Sequence, residues 1–192
     1  NTQILIASSG TLVAILQPTD ETMTAFTATT LATDASSGSM VSGISFGAGD
    51  TFWTKHLNFA LRRLSFDLNA GTATTAHSFL STVFPTRIGP ILAMPSSNLL
   101  AGIEVAPGQD FVKLYDITDL NNAVFLDRET YFTNVDNGVS AGQICQGGDK
   151  LYALDADNGI RAFTLQVTNE LVSPSFFVQP AGGTVVVGTN LT

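Results

Sequence analysis

Short runs of four to seven apolar or alternating residues, separated by Gly-, Pro-, Asn- and Asp-rich breaks, fill most of the chain, and they recur with a period near fifty. The second stretch is the clearest. Strands are predicted at 40–46, 51–55, 61–67 and 74–80, with the turn Gly47-Ala48-Gly49-Asp50 between the first two. The third follows the same plan at 89–94, 99–104, 111–117 and 123–131, turning at Pro95-Ser96-Ser97-Asn98. Glycine and asparagine accept positive φ and proline presets the first turn position, so these breaks are reversals of direction. Asp157-Asn158-Gly159 between apolar runs predicts a tight two-residue hairpin. No window keeps an i, i+3, i+4, i+7 apolar stripe, so helices are not expected.

Two markers carry the period. Ile15, Leu64, Leu114 and Phe163 are the apolar centres of one strand per copy, spaced 49, 50 and 49 apart. Asn1, Asp50, Asn98 and Asp149 each precede a short apolar run, spaced 49, 48 and 51 apart. Four-stranded units repeating near fifty residues are the pattern of β-propeller blades. The expected class is all-β: about four blades over 1–167, with three, four, four and three strands, read as an arc of a larger propeller. A self-closed four-bladed ring is the alternative.

After residue 167 the pattern changes. Residues 168–180 read as a linker. The Pro-flanked Ser175-Phe176-Phe177-Val178-Gln179-Pro180, then Gly182-Gly183-Thr184-Val185-Val186-Val187-Gly188, resembles the opening strands of bacterial immunoglobulin-like domains. Residues 181–192 would then be the leading edge of such a domain, which needs about a hundred residues in full.

The repeats themselves resemble a bacterial propeller-like family of unknown function that often stands beside immunoglobulin-like domains in large secreted proteins. The similarity lies in Thr51-Phe52-Trp53-Thr54-Lys55 with 61–68, in Leu99-Leu100-Ala101-Gly102-Ile103 with 113–117, and in Asp149-Lys150-Leu151-Tyr152-Ala153-Leu154-Asp155 with 158–163. It implies an extracellular or cell-surface setting, with further blades and immunoglobulin-like domains in the full-length protein. It brings no catalytic residues.

Charge narrows the partners. Sixteen acidic residues against eight Lys plus Arg give a net charge of −8, which argues against nucleic acid and anionic membrane surfaces. No apolar run approaches the roughly eighteen residues of a membrane span. Twenty-four threonines replace much of the usual charge, a composition suited to strand surfaces. Cys145 is the single cysteine, too few for an internal disulfide or a zinc knuckle, and its apolar setting predicts a buried position.

In a propeller, loops joining strands two and three share a face with those between blades. That face would gather His56 and Asn58, then Glu104, Gln109 and Asp110, then Asp155 and Asp157, with Asp34, Arg87 and Asp136 from interblade loops. Such a polar, acidic set suits a cation, a carbohydrate or a polar protein segment; the plainer reading is solvated turn residues. Asp155-Ala156-Asp157-Asn158-Gly159 is similar to a calcium loop but lacks the closing glutamate, with Gln166 in that place. His56 and His77 have no partner at zinc-motif spacing, and no G-x-S-x-G elbow marks a hydrolase. Trp53 is expected in the core between blades. No cofactor is implied. The leading expectation is a non-catalytic scaffold or recognition module, the alternative an extracellular hydrolase or lyase acting at the loop face.

Overall fold

The computed structural model describes residues 4–7, 12–34, 43–55, 59–132, 135 and 141–165. These form fourteen strands and one short 3₁₀ turn at Pro95–Ser97, and nothing longer than that turn is helical. The strands are β1 (Ile4–Ala7), β2 (Leu12–Pro18), β3 (Phe26–Thr33), β4 (Gly43–Phe46), β5 (Thr51–Lys55), β6 (Arg62–Asp67) and β7 (Thr72–Ser78). They continue as β8 (Ile88–Met94), β9 (Leu99–Ala106), β10 (Gln109–Asp116), β11 (Val124–Thr130), β12 (Gly142–Gly147), β13 (Lys150–Asp155) and β14 (Gly159–Thr164).

Sequential antiparallel pairing divides them into four meanders, β1–β3, β4–β7, β8–β11 and β12–β14. Among the described residues the strand count is three, four, four and three. The first two meanders are not separate, however. Their outer strands join in a short parallel pairing, Ala32 with Thr72 and Thr33 with Ala73, making one seven-stranded sheet. Asp34 fastens that seam by accepting hydrogen bonds from the Thr75 N–H at 2.9 Å and its hydroxyl at 2.8 Å. The far ends of this sheet, β1 and β4, approach each other, so it curls around its own core.

Three apolar cores lie between successive meanders. Val13, Ile15 and Leu31 meet Phe52, Leu64, Phe66 and Ala73 in the first. Trp53, Leu61, Phe79 and Phe84 meet Leu100, Tyr115 and Ile117 in the second. Ala101, Ile103, Val112 and Leu114 meet Ile144, Leu151, Ala153 and Phe163 in the third. Each fully buried Leu, Ile or Phe stabilises by about 1.5–3 kcal/mol, so these faces are where the fold's driving force resides. Trp53 sits where expected, 1% exposed and tilted against Phe79 at 5.6 Å.

Of the two sequence markers, the apolar one does not hold in three dimensions, while the other holds at Asp50, Asn98 and Asp149; Asn1 lies outside the described residues. All four residues of the apolar set are buried, but Ile15 and Leu64 share one core while Leu114 and Phe163 share another. Ile15 and Leu114 face the following meander, whereas Leu64 and Phe163 face the preceding one. Strand side chains alternate, so an offset of one residue turns a position to the other face. The pairing Phe52 with Leu64, Leu100 with Tyr115 and Leu151 with Phe163 identifies Tyr115 as the counterpart of Leu64. This follows the other marker, since Phe52, Leu100 and Leu151 each lie two residues beyond Asp50, Asn98 and Asp149.

Two smaller expectations are corrected. The Asp157 turn is a three-residue loop closed by Asp155 paired with Gly159, the glycine at φ 79°. Its extra residue gives the Asn158 N–H a bond to the Asp155 carbonyl at 3.1 Å. Cys145 is exposed. Ile144 points into the third core, so its neighbour must point away, onto a face where Tyr152, Leu154 and Ile160 are also exposed.

Candidate functional site

Strand pairing brings one end of the third and fourth meanders together. Arg87 enters β8, Val105 lies near the end of β9, Asp110 near the start of β10, and Tyr131 follows β11. In the fourth meander Asp155 closes β13 beside Gly142 and Gly159. Asp110 and Asp155 are both wholly buried. Removing a carboxylate from water is costly unless donors replace its hydration, so their neighbours matter.

Asn158 supplies much of that replacement. Its side-chain amide donates to Asp155 Oδ2 at 3.1 Å, to Asp110 Oδ2 at 3.3 Å and to the Val135 carbonyl at 2.7 Å. Its amide oxygen accepts the Val135 N–H. Two amide protons are shared among three oxygens, so one side chain ties the β13–β14 loop, the start of β10 and the interblade segment. The Asp157 N–H adds a bond to Asp155 Oδ1 at 3.3 Å.

The surroundings are apolar and cationic. Tyr131 is 3% exposed, and its hydroxyl is buried without a hydrogen-bond partner among the described residues. Burial first, then the negative charge of Asp155 and Asp110, pushes the phenol well above its ordinary pKa despite Arg161, so it remains an O–H. The Arg161 guanidinium lies over the rings of Phe132 at 4.4 Å and Phe163 at 5.3 Å. Burial lowers its pKa, opposed by Glu129 and Tyr131, yet a guanidinium keeps its proton at any ordinary pH. Burial, with Asp127 adding to it and Arg161 opposing, pushes the Glu129 carboxyl up to about 7.

The expected face is thus assembled in part. Asp110 and Asp155 come together, and Asp157 stands exposed at the loop tip beside them. Glu104 points to the other side of β9, where it pairs with Lys113 at 2.7 Å. Arg87 stays at the end of its own sheet: its Nε donates to the Val105 carbonyl, and the Val105 N–H returns a bond to the Arg87 carbonyl at 2.9 Å. Gln109 is exposed at the start of β10. His56, Asn58 and Asp136 lie outside the described residues. His77 is a β7 residue packed edge-on to Phe79 at 4.6 Å.

Sequence reading passed over Asn158, Tyr131, Arg161 and Lys55. In the sequence Asn158 stands out only as a turn former, although an amide beside two aspartates is a ready donor. Lys55 ends a strand buried on both faces, is 1% exposed, and donates to the Thr86 carbonyl at 2.8 Å. Burial depresses its pKa to about 7. Among the described residues no three His, Cys, Asp or Glu side chains converge as metal ligands. No helix among them is long and apolar enough to cross a membrane.

No protein-family model matches the chain, nor does any curated protein, so the family resemblance rests on the residues quoted for it. Similar solved structures are distant. The structure of U3-55K aligns at 10% identity with a TM-score of 0.47, over 79% of this chain and 44% of that one. A protein from Lactobacillus plantarum aligns at 14% identity and 0.46, over 94% and 57%. A chain of a nidogen/laminin complex aligns at 15% and 0.42, over 83% and 74%. The chain spans about half the length of the first two.

Proposed function

We propose that this chain is a β-propeller module, an arc of four blades, serving as a non-catalytic scaffold or recognition element in a large secreted or cell-surface protein. Support for the propeller comes from meanders that follow one another in chain order across three apolar cores, the first two also joined at one edge in a curled sheet, with equivalent strand pairs in three of them. Within this reading, residues 168–180 are a linker and 181–192 open an immunoglobulin-like domain; both segments lie outside the described residues.

The observation that carries the non-catalytic part is the use made of the loop-face polar groups. Asn158 spends its amide on two buried carboxylates and a backbone carbonyl, which holds loops in place. A hydrolytic site would need a nucleophile or activated water within reach of a base, and an electrostatic cradle aimed at the developing charge. The two buried carboxylates of this face are committed to Asn158 and to the loop backbone, and the exposed Asp157 beside them has no general base or acid paired with it among the described residues. A carbohydrate or protein ligand of the loop tips is compatible with that rigidity.

The test pairs two assays on the purified chain: turnover of a panel of chromogenic glycosides and esters, and binding to arrayed surface glycans and extracellular proteins. Saturable binding without turnover is expected. Turnover abolished by Asp155→Asn, with the melting temperature kept, would establish the hydrolase reading instead.

A further inference from the structure

A groove of about 400 Å³ lies on the outer half of the third meander, apart from the Asp110–Asn158–Asp155 cluster. One wall is the sheet surface of β10 and β11, carrying Lys113, Tyr115, Phe125 and Arg128. The other is the connection at 80–87, which contributes Val83 and Pro85. That connection is fastened by bonds from the Val83 and Phe84 N–H groups to the Leu80 carbonyl, both at 3.0 Å. The buried Phe84 ring packs on Tyr115 at 4.6 Å. The walls are therefore preformed.

A β-bulge makes the groove possible. Phe125 and Arg128 are three apart and would face opposite sides of an unbroken strand. The register shifts between Leu114 and Tyr115, so that Arg128 pairs with Lys113 while Phe125 pairs with Tyr115, and Leu126 is passed over. Both side chains thereby reach the same face, the re-aiming that bulges perform next to functional sites.

The resulting chemistry is unusual for this chain. Two cations stand directly across from one another, an arrangement that costs stability in a sheet. Lys113 is offset by Glu104 at 2.7 Å, leaving one surplus positive charge on a protein of net charge −8. Arg128 makes no ion pair among the described residues; its guanidinium sits 4.8 Å over the Phe111 ring. Phe125, 48% exposed, offers a flat apolar surface at the mouth, with the Tyr115 ring held edge-on behind it at 5.8 Å. A groove with aromatic walls, a planar cation and room for a single ring fits a ligand that is flat on one side and carries one carboxylate. A free phosphate could pair with the Arg128 fork but has no apolar face to lay on Phe125.

We propose that this groove binds a carboxylate-bearing sugar, a uronic acid unit of an acidic polysaccharide. The carboxylate pairs with the Arg128 fork, the apolar ring face lies on Phe125, and the Lys113 ammonium donates to ring hydroxyls. The inference goes beyond the loop-face reading and uses none of its residues except Glu104, so either can fail alone.

Calorimetric titration of the intact chain with trigalacturonate, against galactotriose as the uncharged counterpart, tests it. Saturable binding of the charged sugar is expected, with the neutral one at least about tenfold weaker. Arg128→Gln should erase that preference and Phe125→Ala should weaken both sugars, while Glu21→Gln, exposed in the β2–β3 turn, leaves binding unchanged. Melting curves establish that each variant is folded. No saturable binding by the wild type, equal affinity for the neutral sugar, or an unaffected Arg128→Gln would overturn the proposal.

Discussion

The backbone N–H of Phe66 donates to the carbonyl of Asp50 at 2.9 Å, and the same bond is made by Ile117 to Asn98 at 2.8 Å and by Leu165 to Asp149 at 2.7 Å. In these three meanders the residue before the second strand thus receives the N–H two residues beyond the partner of that strand's second residue. Three copies of one backbone bond are stronger evidence of a structural repeat than similarity of side chains, because the bond fixes register. Backbone conformation at the same turns accounts for the residue type at one of them: Asn98 itself takes positive φ at 53°, whereas Gly49 and Gly148 take it just before Asp50 and Asp149.

Asn158 should be the most sensitive side chain on the loop face. Asn158→Ala removes a donor from two buried carboxylates and an anchor from Val135, at a cost of about 1–3 kcal/mol. Asn158→Asp, adding a third carboxylate, should cost more. Urea unfolding measures both, and a change within error would show that the bridge is dispensable.

Close approach of the first strands in neighbouring meanders makes a second expectation. A Cβ on Gly43 would lie 2.7 Å from the Gly89 carbonyl and 2.8 Å from the Ile91 nitrogen, backbone atoms that cannot move aside. Gly43→Ala should therefore destabilise by about 1–3 kcal/mol. Gly147→Ala, whose Cβ would meet nothing nearer than a Tyr152 ring atom at 3.5 Å, should be close to neutral. Thermal melts of the two variants give the comparison.

Much of this was readable beforehand, and the failures share a cause. Turn chemistry and short apolar runs located the strands, because Gly, Pro and Asn act locally on φ. Face assignment needed more. Leu114 and Tyr115 are both apolar and adjacent, both are buried, and only the hairpin bond to Asn98 tells which of them is the repeat position. Cys145 was misplaced for the same reason, since an apolar residue in a strand fits either side until a neighbour such as Ile144 is known to face inward. The Asp110–Asn158–Asp155 contact joins residues 48 apart through side chains, and no local pattern announces it. The groove depends on a bulge, which is invisible to a strict period of two.

Glu129 gives a pH signature. Its carboxyl is raised from 4.5 to about 7, so the folded chain holds the proton more tightly than the unfolded chain does. Stability from this group is complete below about pH 4.5 and is lost as pH rises through 7. Because the side chain is half-buried, the loss should be about 1 kcal/mol. Glu129→Gln stays neutral throughout, so its stability relative to wild type should grow between pH 4.5 and 7 and then level off. Parallel curves for the two proteins would contradict this.

Exposure of Cys145 predicts prompt reaction with a thiol reagent. The native protein should consume one equivalent of Ellman's reagent at nearly the rate of the unfolded chain. Labelling that waits for denaturant would return the thiol to the core.

The serial packing of the meanders is the central claim, and double-mutant cycles on four buried side chains test it most directly. Ile15 and Leu64 belong to one core, Leu114 and Phe163 to another. Truncations within a pair share a cavity and should deviate from additivity by about 0.5 kcal/mol or more, whereas Ile15 with Leu114, and Leu64 with Phe163, should add. Coupling between Ile15 and Leu64 and between Leu114 and Phe163, with additivity across the pairs, is the result predicted. Additivity within both pairs, or coupling between Ile15 and Leu114, would contradict it.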